Sequence, residues 1–277
     1  MSSKSPAQQQ HSNRNPPPSN RQLLILFGMF VGFIIGIIWV VVWLVNSLVW
    51  LIPPSVEQQL GALVVPAYER LAPATPAQDT LNNLLTRLQT NLPPEQRQER
   101  DYRVLYVQDS AVNALAIPGD RIIIYSGLVK QVESENELMM VLAHELGHFA
   151  NRDHLRGLGQ GLLLQVAIAS FIGDGGWVLS SAAAGVAALS KAQYSQLQER
   201  QADEFGLALL QQTYGHVAGA TDFFARLSQQ KGLGLDFLST HPAPGNRVAE
   251  LKRLIEQQNY QIGERSRLPR TLASPHS

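Results

Sequence analysis

Residues 141–150 read Val-Leu-Ala-His-Glu-Leu-Gly-His-Phe-Ala and contain the pattern His-Glu-x-x-His. On a helix, His144 and His148 lie one turn apart on one face, so both imidazoles can reach a single ion. Glu145 projects beside that ion, where a water molecule would lie. The pattern therefore predicts a helix that supplies two zinc ligands and a general base.

Two incidental histidines on a helix would produce the same letters, but two observations weigh against that interpretation. Histidine is scarce, at 7 of 277 residues. The stretch is also strongly apolar, and unpaired His and Glu side chains are costly to bury. Upstream, Ser134 and Glu137 form a capping box, which predicts the start of this helix and places the motif in its middle.

The composition limits the kind of metal site that the chain can build. There is no cysteine, which excludes thiolate ligands and disulfides, so the ligands must be histidines and carboxylates. Lys plus Arg and Asp plus Glu each number 22, and this balance gives no reason to expect a nucleic-acid partner.

The N-terminal region indicates attachment to a lipid bilayer. Residues 1–22 are rich in Ser, Gln, Asn and Pro and predict a disordered tail. Residues 23–52 are almost entirely apolar, which predicts one transmembrane helix as an anchor. Basic residues precede this span and few follow it closely. The positive-inside rule therefore places the N-terminus in the cytoplasm and the catalytic part on the exported side, periplasmic or lumenal.

A change of period after residue 100 predicts a small antiparallel sheet. Three short stretches are rich in β-formers, with Pro118-Gly119-Asp120 as a turn before the last; they are residues 102–107, 111–117 and 121–125. A strand edge can hold a peptide by strand addition. Asn113 and Ala114 are our candidates for substrate binding at such an edge, although an ordinary sheet edge fits the same spacing.

Two residues compete for the role of third ligand. His154 follows His148 at nearly the metzincin spacing, but that motif needs a glycine where Asn151 stands and a methionine turn downstream. All four methionines precede the motif. The alternative is a carboxylate on a second helix. Glu199 and Asp203 lie one turn apart, so Glu199 can bind zinc while Asp203 orients a ligand histidine, and this solution is favoured.

Four ordered blocks resemble the HtpX-type and CAAX prenyl endopeptidase family of membrane-associated zinc metalloproteases, part of the gluzincin group. The blocks are VNALAIPGDRIIIYSGL (112–128), SENELMMVLAHELGHFANRDH (134–154), YSQLQERQADEFG (194–206) and STHPAPGNR (239–247). The resemblance implies one zinc ion per chain held by His144, His148 and Glu199. It also implies that Glu145 is the catalytic base and that Asp203 supports a ligand histidine.

The last block holds two further candidates. In similar proteins a histidine at the position of His241 lies close to the zinc. There it acts catalytically by stabilising the oxyanion, or it occupies the open coordination position. A capping histidine in a loop fits the same residues. Arg247, at the start of the following helix, is assigned to substrate binding.

The expected fold is α+β and mostly helical: a zincin-like metalloprotease domain with a small antiparallel sheet and an active-site helix, preceded by one transmembrane helix. Residues 53–95 are expected to be a juxtamembrane linker with helices, and residues 96–260 the zinc metallopeptidase domain. Within that domain, the apolar stretch 158–190 predicts a hairpin that packs on the domain or dips into the membrane. Residues 261–277 are expected to form a flexible C-terminal tail.

The expected function is that of a membrane-anchored, zinc-dependent endopeptidase acting in quality control of membrane or exported proteins. Its partners would be polypeptide substrates and the lipid bilayer, without nucleic acid, and an oligomer is left open. The alternative is a zinc-binding chaperone or assembly factor whose protease activity is latent. A purely structural zinc protein is the third interpretation.

Overall fold

The computed structural model describes residues 18–159, 193–229, 235–242 and 247–273. The chain divides into two compact units, residues 1–44 and 45–277. Helix α1 (Asn20–Leu48) continues into a 3₁₀ turn (Val49–Leu51). These 32 residues are long and apolar enough to cross a membrane, and no other helix in the described ranges is.

The start of α1 overlaps the predicted tail by a few residues, and its extent agrees with the anchor predicted at 23–52. The large apolar side chains along α1 are exposed, as a lipid-facing helix requires. The remainder of the predicted tail, residues 1–17, lies outside the described residues.

The larger unit combines helices with three strands. Its helices are α2 (Pro54–Glu69), α3 (Pro76–Gln89), α4 (Pro94–Arg97), α5 (Ser126–Val129), α6 (Glu135–Ala150), α7 (Gln196–Tyr214), α8 (Asp222–Gln229), α9 (Leu235–Thr240) and α10 (Arg247–Gln257). The strands are β1 (Arg103–Val107), β2 (Ala114–Ile117) and β3 (Arg121–Tyr125). The mostly helical α+β architecture is confirmed.

The three strands form a mixed sheet in the order β1-β3-β2. The predicted turn at Pro118-Gly119-Asp120 joins β2 and β3 as an antiparallel hairpin, but β1 runs parallel to β3, with Leu105 and Leu115 both opposite Ile123. The expectation of a purely antiparallel sheet is therefore wrong for β1. Residues 108–113 are long enough to cross the end of β3, which leaves β3 between the other two strands.

The two outer edges of this sheet differ. The edge of β1 is covered by α3, whose Gln78 side chain donates to Val104 O and accepts from Tyr106 N. The edge of β2 instead faces the segment after α9, where Ala114 O lies 3.3 Å from His241 Nε2. Only the β2 edge is therefore directed toward the candidate site.

Helices cover both faces of the sheet, so all three strands are almost fully buried. One face, which includes Val104 and Ile122, packs in the main core with residues of α3 and α6. The opposite face, which includes Leu105 and Ile123, packs against Val65 of α2. The sheet thus holds α2 and α6 on opposite sides of one layer.

The packed domain begins earlier than the expected boundary at residue 96. Four leucines of α3 are buried in the main core, namely Leu81, Leu84, Leu85 and Leu88. Their helical spacing was recognised in the sequence, but spacing does not reveal which domain a helix packs against. Helix α3 is therefore an integral part of the domain rather than part of a linker.

The C-terminal segment corrects a second expectation. Residues 261–273 belong to the predicted flexible tail, yet Ser266 O accepts from Glu135 N at 3.0 Å and Leu272 is buried. Paired backbone groups and a buried leucine hold this segment against α6. The predicted apolar hairpin at 158–190 lies, apart from its first two residues, outside the described residues.

Helices α6 and α7 lie in close contact because small residues face each other. A Cβ atom on Gly147 would come within 2.8 Å of Ala202 Cα, and one on Gly206 within 3.2 Å of His144 N. A side chain at Gly147 could be accommodated only if one helix moved, and one at Gly206 would need a shift of a few tenths of an ångström. This close approach brings the helix of Glu199 against the helix of His144.

Candidate metal centre

Helix α6 begins at the predicted cap, where Ser134 Oγ accepts from Glu137 N at 3.3 Å. Farther along the same helix, His144 and His148 are fully buried, and their Nε2 atoms lie 3.1 Å apart. Two ring nitrogens at this distance can share one proton or one cation. The His-Glu-x-x-His spacing has thus brought two donors to one point.

Helix α7 contributes a carboxylate to the same point. The helix begins with a complete capping box, in which Ser195 and Gln198 bond each other reciprocally. One residue later, Glu199 is buried, with Oε1 3.4 Å from His148 Nε2 and Oε2 3.5 Å from His144 Nε2. The structure therefore brings all three predicted ligands together.

His241, just after α9, adds a fourth donor. Its Nδ1 lies 3.3 Å from His144 Nε2 and 3.0 Å from Glu199 Oε1. The donor atoms of His144, His148, Glu199 and His241 all lie within 4.8 Å of one another. Ligand atoms in a tetrahedral zinc site with bonds of 2.0–2.1 Å are about 3.3 Å apart, so the donor set fits zinc in chemistry and in spacing.

Glu145 lies beside this donor set. It is fully buried, and neither of its carboxylate oxygens has a hydrogen-bond partner among the described residues. Its Oε1 lies 3.6 Å from His241 Nε2. Burying an unpaired carboxylate is costly, so this group is suited to a partner outside the protein, such as a water from which it takes a proton.

A carboxylate contacts the second ring nitrogen of each α6 histidine. Asp203 Oδ1, from the predicted pair on α7, lies 2.9 Å from His144 Nδ1. Asp153 Oδ2 lies 3.0 Å from His148 Nδ1. Such contacts fix the tautomer that leaves Nε2 free for a metal.

The sequence prediction did not include Asp153. The available indication in the sequence was that Asp153 is a carboxylate five residues beyond the last histidine of the motif. However, the path of the chain after a helix cannot be read from periodicity.

Two aromatic rings cover the donor side chains, and sequence reasoning missed both. Tyr194 stacks on His148 with ring centroids 3.8 Å apart, and Phe237 stacks on His241 at 4.4 Å. Tyr194 opens the third resembling block, which was the available signal. Stacked rings restrict rotation of the imidazoles and therefore stiffen the site.

Arg247 contacts two carboxylates of the site and the ring of Phe224. Its guanidinium donates to Glu199 Oε2 at 3.0 Å and to Asp203 Oδ1 at 2.6 Å, and it lies 3.9 Å from the ring centroid of Phe224. Burial raises the pKa of Asp203, but the charge of Arg247 outweighs burial and lowers that pKa. The arginine is therefore buried and engaged with Glu199 and Asp203, and its assignment to substrate binding stays a prediction.

Asn113 and Ala114, the other substrate-binding candidates, lie beside the site at the start of β2. Asn113 Oδ1 accepts from Ala114 N at 2.9 Å and from Thr240 Oγ1 at 3.2 Å. His154, by contrast, lies outside the donor set, with its Nε2 2.8 Å from Glu57 Oε1. Its position agrees with the exclusion of His154 as a ligand.

The electrostatics around Glu199 and His148 favour positive charge, whereas burial and the charge of Arg247 lower the pKa of His144. Burial raises the pKa of Glu199, but the charges of His241 and His144 hold it well below its usual range. Burial lowers the pKa of His148, but Asp153 and Glu199 outweigh burial and raise it to about 10. Ionised carboxylates at the centre of a buried cluster are suited to a dication.

Comparison with known proteins gives the family. Residues 78–255, more than half of the chain, match peptidase family M48. The metalloprotease LoiP of Escherichia coli is 31% identical over 157 residues, which cover 55% of this chain and 61% of that protein.

Two further relatives come from a bacterium and a plant. A putative beta-barrel assembly-enhancing protease of Vibrio cholerae is 28% identical over 54% of this chain and 34% of its own length. The mitochondrial metalloendopeptidase OMA1 of Arabidopsis thaliana is 29% identical over 57% of this chain and 32% of its own length. The chain thus spans only about a third of these two relatives. Because the family match runs from α3 to α10 and contains every residue of the donor set, the chain belongs to peptidase family M48.

Proposed function

We propose that this protein is a membrane-anchored zinc endopeptidase. The observation that carries the proposal is the buried, unpartnered carboxylate of Glu145 beside four donors that fit zinc. A purely structural zinc site needs only its ligands. A buried carboxylate next to them that has no hydrogen-bond partner among the described residues, and only a 3.6 Å contact with His241, favours catalysis.

In this proposal each residue has a distinct role. His144, His148 and Glu199 hold zinc, which supplies polarisation of the scissile carbonyl and acidification of water when bound. Asp203 keeps the ring of His144 oriented. Glu145 takes a proton from the attacking water and delivers it to the leaving amine nitrogen, and both of its oxygens are free to do so.

We propose that the peptide substrate binds along the outer edge of β2, near Asn113 and Ala114. The strand order makes β2 an edge, and an extended peptide can pair with such an edge through backbone hydrogen bonds. Ala114 O lies against His241 Nε2. A peptide that pairs there must therefore displace His241.

Glu145→Gln tests the proposal directly. The amide cannot accept the proton, so cleavage of casein should fall by roughly a hundredfold to ten-thousandfold, while zinc content measured on the same sample is unchanged. The matched control is Glu204→Gln, an exposed carboxylate on α7, which should cleave casein like wild type. Undiminished cleavage by Glu145→Gln would overturn the assignment.

We also propose a location for the activity. The helix of residues 20–51 anchors the chain in a membrane, and the charge bias around it favours a catalytic domain on the exported side. The name of the Vibrio cholerae relative refers to beta-barrel assembly, which supports quality control of membrane or exported proteins as the role. We expect a reporter fused after residue 277 to lie on the exported side of the membrane. A reporter found in the cytoplasm would contradict this location.

One observation favours a second candidate, a zinc-binding chaperone or assembly factor with latent protease activity. His241 Nδ1 lies among the donor atoms, at the position that a water would need. The two candidates differ in their dependence on Glu145. A chaperone would prevent aggregation of an unfolded client equally well after Glu145→Gln, whereas a protease would lose its function.

A further inference from the structure

A cluster of buried charges lies next to the metal centre without belonging to it. Glu57 Oε1, on α2, lies 2.7 Å from Arg100 NH1 and 2.8 Å from His154 Nε2. Arg100 NH1 also lies 2.7 Å from Asp120 Oδ1. Buried ion pairs seldom stabilise a fold more than apolar packing would, so their presence here suggests a positioning role.

The cluster reaches the metal centre through the turn that follows α6. His154, which Glu57 holds, is the chain neighbour of Asp153. Asp153 Oδ2 lies 3.0 Å from His148 Nδ1, while its Oδ1 accepts from Gln198 Nε2 at 2.7 Å. A displacement of His154 would therefore act on the backbone next to the carboxylate that orients a predicted zinc ligand.

The same turn is held by the chain that leaves α1. Arg152 donates to Val49 O at 2.9 Å and also to Ile52 O, and its backbone adopts a positive φ of 57°. The guanidinium of Arg156 lies 5.4 Å from the ring centroid of Trp50. Residues 49–57 thus hold residues 152–156 by backbone, aromatic and ionic contacts.

We propose that Glu57 and Asp153 are the two ends of a positioning relay through which the juxtamembrane helix α2 orients His148 for zinc. Glu57 fixes His154, and the adjacent Asp153 fixes the ring of His148. Neither residue touches reacting atoms. The inference rests on the proposed function insofar as His148 binds zinc, and it makes zinc affinity depend on the segment that joins the anchor to the domain.

Zinc dissociation constants of the full chain in detergent, measured by competition with a chromogenic chelator, test the relay. Asp153→Asn should weaken zinc binding by roughly tenfold or more. Glu57→Gln should weaken it at least severalfold. The double variant should bind no more weakly than Asp153→Asn alone, because residues that act through one path are not additive.

Glu137→Gln is the matched control, since it removes another buried carboxylate, paired with Arg226, at the opposite end of α6. It should lower the melting temperature and leave the zinc constant unchanged. A zinc constant within twofold of wild type for Glu57→Gln, or additive losses in the double variant, overturns the relay. If Glu57→Gln does not fold, Arg152→Gln replaces it, because Arg152 bonds the same juxtamembrane segment. A zinc constant within twofold of wild type for Arg152→Gln then overturns the relay.

The readout also separates the relay from the proposed function. If Glu57→Gln leaves the zinc dissociation constant unchanged, the relay is wrong even where the protein cleaves casein normally. If Glu57→Gln weakens zinc binding but the wild-type protein cleaves no casein, the relay is supported and the proposed peptidase activity is not.

Discussion

His241 is the residue on which the resting state of the site depends. Its Nδ1 completes the donor set, while its Nε2 lies 3.3 Å from Ala114 O and 3.6 Å from Glu145 Oε1. One side chain therefore contacts the donor set, the proposed general base and the outer edge of β2. Under the proposed function, these three contacts would inhibit the site, and His241 would have to move before a peptide could react.

His241→Ala should consequently raise the initial rate of casein cleavage severalfold, because the water, the base and the edge of β2 all become accessible. His216→Ala, which changes a histidine away from the donor set, is the control and should cleave like wild type. If His241 instead stabilises the oxyanion, the rate falls by roughly a hundredfold. A loss of that size would contradict the inhibited arrangement.

Glu57 gives a residue-scale prediction about pH. Burial raises its pKa, but the hydrogen bond and charge of His154 and the charge of Arg100 outweigh burial and lower it from 4.5 to about 2. A carboxyl whose pKa is depressed by folding stabilises the fold above its unfolded pKa and loses that contribution as the pH falls toward its folded pKa. The contribution is about 3 kcal/mol at neutral pH.

Urea unfolding of wild type and Glu57→Gln at a series of pH values measures this contribution. Wild type should be the more stable protein at pH 7, and the difference should shrink between pH 4.5 and pH 2. A difference in the free energy of unfolding that stays constant with pH would contradict the depressed pKa.

Local spacing made several site residues predictable. His144, Glu145 and His148 are fixed relative to one another by one helix, and Glu199 and Asp203 by another. Asp153 and Tyr194 escaped prediction because their positions depend on turns outside those helices. Arg247 was assigned to substrate binding because a sequence does not indicate that its charge meets two carboxylates of its own chain.

At the scale of elements, the contact between α6 and α7 determines whether the three ligands meet. Gly147 and Ala202 allow the two backbones to approach closely, which places Glu199 opposite both histidines. The small residues were visible in the sequence, but the pairing of their helices was not. The pairing of β1 was likewise not visible in the sequence, because its parallel alignment with β3 depends on residues 108–113 crossing the end of β3.

Gly147→Ala should weaken zinc binding by at least tenfold, since the added methyl group would lie 2.8 Å from Ala202 Cα and push the helices apart. Chelator competition measures the effect. Gly215→Ala at the end of α7 is the control: its φ of 75° makes alanine strained there, by about 1 kcal/mol, yet nothing lies near the new methyl. Equal zinc affinity in both variants would show that the close contact is unimportant.

At the scale of the whole molecule, a metal would join distant parts of the chain. The donors come from α6, from α7 and from the segment after α9. The sequence predicted the α+β class and the anchor, because composition and periodicity extend over many residues. It mispredicted the packing of α3 and of residues 261–273, since such packing depends on surfaces formed only after folding.

Removal of zinc with a chelator should therefore lower the melting temperature of the domain. A ligand present at a thousand times its dissociation constant stabilises the folded state by about 4 kcal/mol, which corresponds to roughly 10 °C for a domain of this size. Added zinc should restore the value in wild type but not in His148→Asn, which lacks a donor. An unchanged melting temperature after chelation would contradict a zinc-linked domain.

The covered edge of β1 has a consequence for self-association. A sheet with two open edges can recruit one chain after another and grow into a fibre. Here the amide side chain of Gln78 bonds backbone groups of β1, and Asn113 and His241 contact the backbone of Ala114 on β2, so neither outer edge of the described sheet is open in this arrangement. Under the proposed function, displacement of His241 would open the β2 edge while the β1 edge stays covered by Gln78, so each molecule would pair with one extended peptide. Such a one-sided sheet would not seed the aggregation of its substrates.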